Sequence, residues 1–227
     1  KVDSSNAQEA LIAVSNCLSG FVNNLSVKIE KVESASSVPI SNSSLNASYI
    51  AAGTEDSGSS DNVYYGYGAG NSDYGTRNTG FGYGVLYGLS SGAHNVGVGY
   101  LTLHNNNTGS YNTALGYNAL FSNTSASYNT AVGYESLGNN TTGEDNTAFG
   151  YRAGRGNTTG NFNTAIGIET LLVSQTANRN TAVGYQAMAS NTTGSDNNAF
   201  GFCSLCANTT GNYNVALGGN ALYSNTT

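Results

Sequence analysis

From Asn62 onward, apolar and polar positions recur in a fixed order along the chain. Each unit opens with Asn, most often as Asn-Thr-Ala, places a large apolar residue fourth, Gly fifth and usually Tyr sixth, takes a second apolar step at the eighth and ninth positions, and closes on a polar run. Residues 129–145, NTAVGYESLGNNTTGED, show the whole unit, with neighbours NTALGYNALFSNTSASY and NTAVGYQAMASNTTGSD. The opening Asn falls at 62, 78, 95, 112, 129, 146, 163, 180, 197 and 214, so the first step is 16 residues and every later one 17. Strict alternation over the first six residues predicts a short strand with Thr, Val and Tyr on one face and Asn, Ala and Gly on the other. Both faces suit burial, one by bulk and the other by close approach. The fourth-position residues Phe81, Leu115, Val132, Phe149, Ile166 and Val183 are therefore expected in the core. The pairs Ala119-Leu120, Ser136-Leu137, Ala187-Met188 and Ala221-Leu222 supply the second step, and NTTG is a turn.

A 17-residue unit is too short for a helix pair, and its turn sits at a constant phase. This predicts an all-β fold, a parallel β-solenoid of about ten 17-residue coils, roughly 48 Å long at about 4.8 Å per rung. Equivalent residues then lie above one another. Asn112, Asn129, Asn146, Asn163 and Asn180 are expected to form an amide ladder, and Gly116, Gly133, Gly150, Gly167 and Gly184 a glycine ladder. One Val or Leu per rung contributes about 1.5–3 kcal/mol against the ordering of a whole unit, so a lone narrow coil is marginal and association of chains is expected. GYGAG at 66–70 resembles a phosphate-binding loop, but no helix or Lys follows it, which makes it a degenerate first coil.

The pattern changes before residue 62. Leu11, Val14, Leu18, Phe21, Leu25, Lys28 and Val32 follow three-four spacing, with Ser4 or Ser5 as a cap, and predict a short N-terminal helix or coiled coil over 1–34. The alternative is an amphipathic helix followed by a strand over 27–32. Residues 35–61 read as a linker or neck, and 62–227 as the solenoid rod.

Composition narrows the function. The chain has 227 residues, 7 basic and 13 acidic, a net charge of −6 and only 9% charged residues. Four Arg and no Lys lie between 62 and 227, which leaves no basic surface for nucleic acid or anionic lipid. No run of 18 apolar residues predicts membrane insertion. Lys1 opens the chain without Met or a signal-like stretch, as in a processed chain or an excised segment. Neither catalysis nor a cofactor is expected. His94 and His104, the only histidines, lack a partnering Ser or Cys motif, and Glu144 with Asp145 would point to opposite sides of a strand. Glu135, Glu144, Asp145, Glu169 and Asp196 occupy scattered phases, so no metal site is expected either. Cys203 and Cys206 form a C-x-x-C without a second pair, read as a disulfide or as two ordinary thiols, and Cys17 on the N-terminal segment is a candidate cross-link.

The twelfth position is the most pointed candidate. Asn106, Asn123, Asn140, Asn157, Asn191, Asn208 and Asn225 each open an N-x-S/T sequon, Ser174 interrupts the series, and Asn24, Asn42 and Asn46 add three more outside the repeat. Glycans there would sheath one edge of the rod. The competing reading is a plain turn in which Asn bonds its own backbone and Gly takes positive φ.

The repeated N-T-A-apolar-G-Y-x-A-L with N-T-T-G resembles repeats of phage-like and giant-virus-like tail-fibre surface proteins. More distantly, it is similar to the head repeats of trimeric autotransporter adhesins, from which it departs in period and in its Tyr and NTTG positions. The resemblance covers 62–227 and implies surface attachment without catalysis by three chains packed side by side. The expectation is thus a structural or adhesive fibre protein, extracellular or on a cell or virion surface, self-associating and presenting repeated groups to a partner such as a cell-surface glycan. A long glycosylated filament polymerising end to end is the alternative, suggested by the incomplete last unit. An ice-binding array of Thr113, Thr130, Thr147, Thr164 and Thr181 is a minor one, disfavoured because those Thr share a face with Val132 and Tyr134.

Overall fold

The computed structural model describes residues 50–51, 61–71 and 75–227. Eleven short strands form one sheet in strict chain order: β1 (Ile50–Ala51), β2 (Val63–Tyr65), β3 (Thr79–Phe81), β4 (Val96–Val98), β5 (Thr113–Leu115), β6 (Thr130–Val132), β7 (Thr147–Phe149), β8 (Thr164–Ile166), β9 (Thr181–Val183), β10 (Asn198–Phe200) and β11 (Val215–Leu217). From β2 to β11 every pairing is parallel and in register, as Thr130 faces Thr113 and Thr147, while β1 pairs antiparallel with β2. The fold is a parallel β-solenoid of about nine turns, and among the described residues there is no helix. The expected N-terminal helix or coiled coil and most of the linker lie outside the described residues, as do Cys17, Asn24, Asn42 and Asn46.

The strands turn their Asn-Ala-Gly side inward. Ala114, Ala131, Ala148, Ala165, Ala182, Ala199 and Ala216 are buried, and against them pack Leu103, Leu120, Leu137, Leu171, Met188 and Leu205 of the ninth position. Alternation specifies two faces but not which one is inside. Coil width decides: a rung of 17 residues encloses room for one Ala and one Leu per layer at native packing density, and a ring enters only where glycine makes space, as Tyr64 does beside Gly70 and Gly80. The fourth-position residues expected in the core accordingly lie outside, with Leu115 47% and Phe149 57% exposed and Val132 half-buried. Rung Asn146 lacks its inner Leu, since Gly154 stands in the ninth place.

Corners come from left-handed residues. The seventh, ninth and seventeenth positions take φ near +50° to +60°, as at Glu135, Leu137 and Asp145, and GYGAG puts Gly68 and Gly70 at the first rung's seventh and ninth corners. Only the fifth position requires glycine. Gly133 has φ 133°, outside the left-handed well open to other residues, and an added Cβ would fall on the carbonyl of Gly150 one rung along. The Gly of NTTG, by contrast, does not take positive φ, and Ala126 and Ala177 occupy the same phase.

Candidate functional site: inner amide clasps and an outer uncharged strip

Two asparagines per rung converge on one carbonyl. The first-position Asn129 Nδ2 and the twelfth-position Asn140 Nδ2 both donate to Gly143 O at 2.9 Å, drawing the end of the rung onto its beginning. The same clasp recurs with Asn95 and Asn106 on Gly109 O, and with Asn180 and Asn191 on Gly194 O. The shared carbonyl sits where both amides must approach closely, which explains Gly or Ala at the fifteenth position. Each first-position Oδ1 then accepts the backbone N–H of the next opening Asn, as Asn112 Oδ1 does from Asn129 N at 3.0 Å. Twelfth-position amides form a second column, with Asn123 Nδ2 donating to Asn106 Oδ1 at 2.7 Å and Asn157 Nδ2 to Asn140 Oδ1 at 2.8 Å. Thr102 and Thr170 hydroxyls donate to Gly116 and Gly184 carbonyls one rung along. Both amide columns are interior, where unpaired polar groups would be costly.

This corrects the glycan reading. Asn106, Asn123, Asn140, Asn157, Asn191 and Asn208 are buried, and their Nδ2 atoms, the atoms a glycan would occupy, are bonded inside the coil. A sugar there has no room. Asn225, half-buried in the last rung, donates to Asn208 Oδ1 at 3.1 Å. The turn reading placed the Asn bond correctly on nearby backbone but missed that the side chain points in. Ser174 breaks the column: its Oγ and the facing Asn157 Oδ1 are buried with no hydrogen-bond partner.

Outside, the second, fourth and sixth positions form parallel columns. Tyr67, Tyr83, Tyr100, Tyr117, Tyr134 and Tyr151 stack continuously with ring centroids 5.0–5.4 Å apart, Ile168 interrupts the stack, and Tyr185 resumes it against Phe202. Stacked rings present edges and hydroxyls outward. Shorter stacks run through Tyr87, His104 and Phe121, and through His94, Tyr111 and Tyr128. Thr113, Thr130 and Thr147 are exposed beside the fourth-position column, so the ground given above for discounting an ice-binding array, that its neighbours are core, does not hold.

Charged groups sit at corners. Glu135 Oε2 accepts from Arg152 Nε at 3.0 Å and Arg155 Nε at 2.7 Å, with the Arg152 guanidinium over the Tyr151 ring. Arg179 grips Asp196 through Nε and Nη2, and that hydrogen bond holds the Asp196 carboxyl below the usual range. Of the two readings of Cys203 and Cys206, the structure has the pair of free thiols and not the disulfide; burial, then a hydrogen bond with Cys203, pushes the Cys206 thiol up. Among the described residues, no three His, Cys, Asp or Glu gather as a metal site, and no helix is long and apolar enough to cross a membrane. Comparison with known protein families, curated proteins and solved structures finds no match.

Proposed function

We propose that the chain is a non-enzymatic structural or adhesive fibre protein of a cell or virion surface, a stiff rod that self-associates and presents repeated groups for attachment. The observation that carries this reading is how each rung divides its side chains. Inside, amide clasps, alanines and, in most rungs, one Leu or Met fill the coil; outside, uncharged side chains recur at the second, fourth and sixth positions of every rung. Closed, hydrogen-bonded rungs favour stiffness. Identical groups spaced along a rod favour multivalent contact with a patterned target such as a cell-surface glycan. The number of chains, three, rests on the resemblance to tail-fibre and adhesin repeats alone. The glycosylated filament draws no support from sequons that point inward.

Negative-stain electron microscopy of the full chain, paired with light scattering for mass, tests the reading. Straight rods thicker than one coil and a mass of several chains are expected; dispersed single-chain particles at tens of micromolar would overturn it.

A further inference from the structure

The second, fourth and sixth columns together make one outer strip running from β2 to β11, and no Asp, Glu, Lys, Arg or His occurs at any of its positions from Val63 to Gly219. Charges instead lie at corners off the strip, at Glu135, Arg152, Arg155, Glu169, Arg179 and Asp196. The strip is wide open to solvent: Tyr83 is 49%, Tyr117 43% and Phe149 57% exposed. A Tyr or Phe carries about 150–250 Å², so the half-exposed rings of the sixth-position column alone leave roughly 600 Å² uncovered. With the fourth-position column the strip exceeds both the roughly 300–600 Å² patch an ordinary monomer exposes and the roughly 800 Å² per partner of a stable interface.

We propose that this strip is the face on which a second copy of this chain packs, lengthwise, so that the Thr, apolar and Tyr columns of two rods interdigitate. The occupant follows from the repeat. Side chains rising every rung, about 4.8 Å apart, leave grooves of that same spacing, and a surface that fills each groove must carry the same period over the whole length. Another copy of this chain carries it. No charged residue stands in the strip itself, and the Arg152 guanidinium that lies over the Tyr151 ring is already paired with Glu135, so pairing leaves no ion buried without its partner. A lipid surface is the poorer fit, since the strip lacks the basic residues that draw a protein to anionic head groups. This assignment rests on the self-associating rod proposed above and adds the face that does it.

The test uses the full chain in three forms: wild type, Leu115→Asp with Phe149→Asp on the strip, and Asn139→Asp with Ser190→Asp on the exposed eleventh-position edge. Size-exclusion chromatography with light scattering is read beside far-ultraviolet circular dichroism. The expected result is a wild type of several chains, a strip variant at least 100-fold weaker in association with unchanged β signal, and an edge variant that assembles as the wild type does. Should the aspartates unfold the chain, Leu115→Thr with Phe149→Thr serves instead, with a tenfold loss expected. Assembly retained by a folded strip variant would overturn the face while leaving self-association standing. A monomeric wild type would overturn both, and its sedimentation with phosphatidylcholine–phosphatidylserine vesicles would assign the strip to lipid.

Discussion

Replacing Ser174 with Asn should repair the one break in the inner amide column. In every other complete rung that carries one, a twelfth-position Asn donates to the fifteenth-position carbonyl of its own rung and, where an Asn precedes it, to the Oδ1 of the previous rung, as Asn140 does to Gly143 O and Asn123 Oδ1. At Ser174 both bonds are missing, Asn157 Oδ1 stands without a donor, and Asn191 Nδ2 donates only to Gly194 O. An amide at 174 would reach Ala177 O and Asn157 Oδ1 and accept from Asn191. Space is not the obstacle: Asn123 occupies the same phase in a rung that also closes with Ala, at Ala126. Three buried hydrogen bonds contribute about 0.5–1.5 kcal/mol each, and ordering the longer side chain costs about 1 kcal/mol, leaving a net gain of about 2 kcal/mol. For a unit of this size that is a rise in Tm of roughly 4–8 °C. Thermal melts followed by circular dichroism read the total, and hydrogen exchange reads its place, with the rungs opening at Asn146, Asn163 and Asn180 slowed most. The reciprocal change, Asn140→Ser, should destabilise by a similar amount. If both variants melt with the wild type, the amide column carries no energy and the reasoning fails.

Gly133→Ala should lower stability by more than about 3 kcal/mol, because its φ excludes a side chain and the Cβ meets the Gly150 carbonyl, whereas Gly138→Ala, at a phase where Ala189 already sits, should cost little; equal melts would misplace the register. Asp196 should titrate below the ordinary Asp value of about 3.9, so its pairing with Arg179 stabilises above that pH and is lost as pH falls through the lower folded value. An NMR titration unchanged by Arg179→Ala would refute the pairing. Cys206, its thiol pushed up by burial and by Cys203, should alkylate more slowly at pH 8 than free cysteine, and faster labelling on peptide mapping would contradict that environment.

The period, the parallel stacking and the alignment of equivalent residues were all legible in the sequence, because a repeat that never slips leaves a solenoid little choice. The side that faces in was not. Thr130, Val132 and Tyr134 are the bulkier set, and bulk ordinarily means core; in so narrow a coil it means exclusion, so that Asn129 and Ala131 take the interior. The twelfth-position Asn carried an ambiguous signal, since an N-T-T-G turn and a sequon are the same letters. A usable clue was the fifteenth position, where Ala126 and Ala177 replace Gly and argue against a positive-φ turn. Left-handed Leu137 and Leu171 gave no sign of themselves, as Leu has no preference for that conformation and only the closing of the coil imposes it.

The inward placement of the asparagines is the premise on which the uncharged exterior and the self-associating rod both depend, and glycan mapping tests it directly. The full chain, secreted from a eukaryotic host that modifies accessible sequons, is isolated as folded material and its peptides are analysed by mass spectrometry. The account predicts unmodified Asn at 106, 123, 140, 157, 191 and 208. Folded, secreted chains carrying glycans at several of those six positions would turn the rung inside out and contradict it.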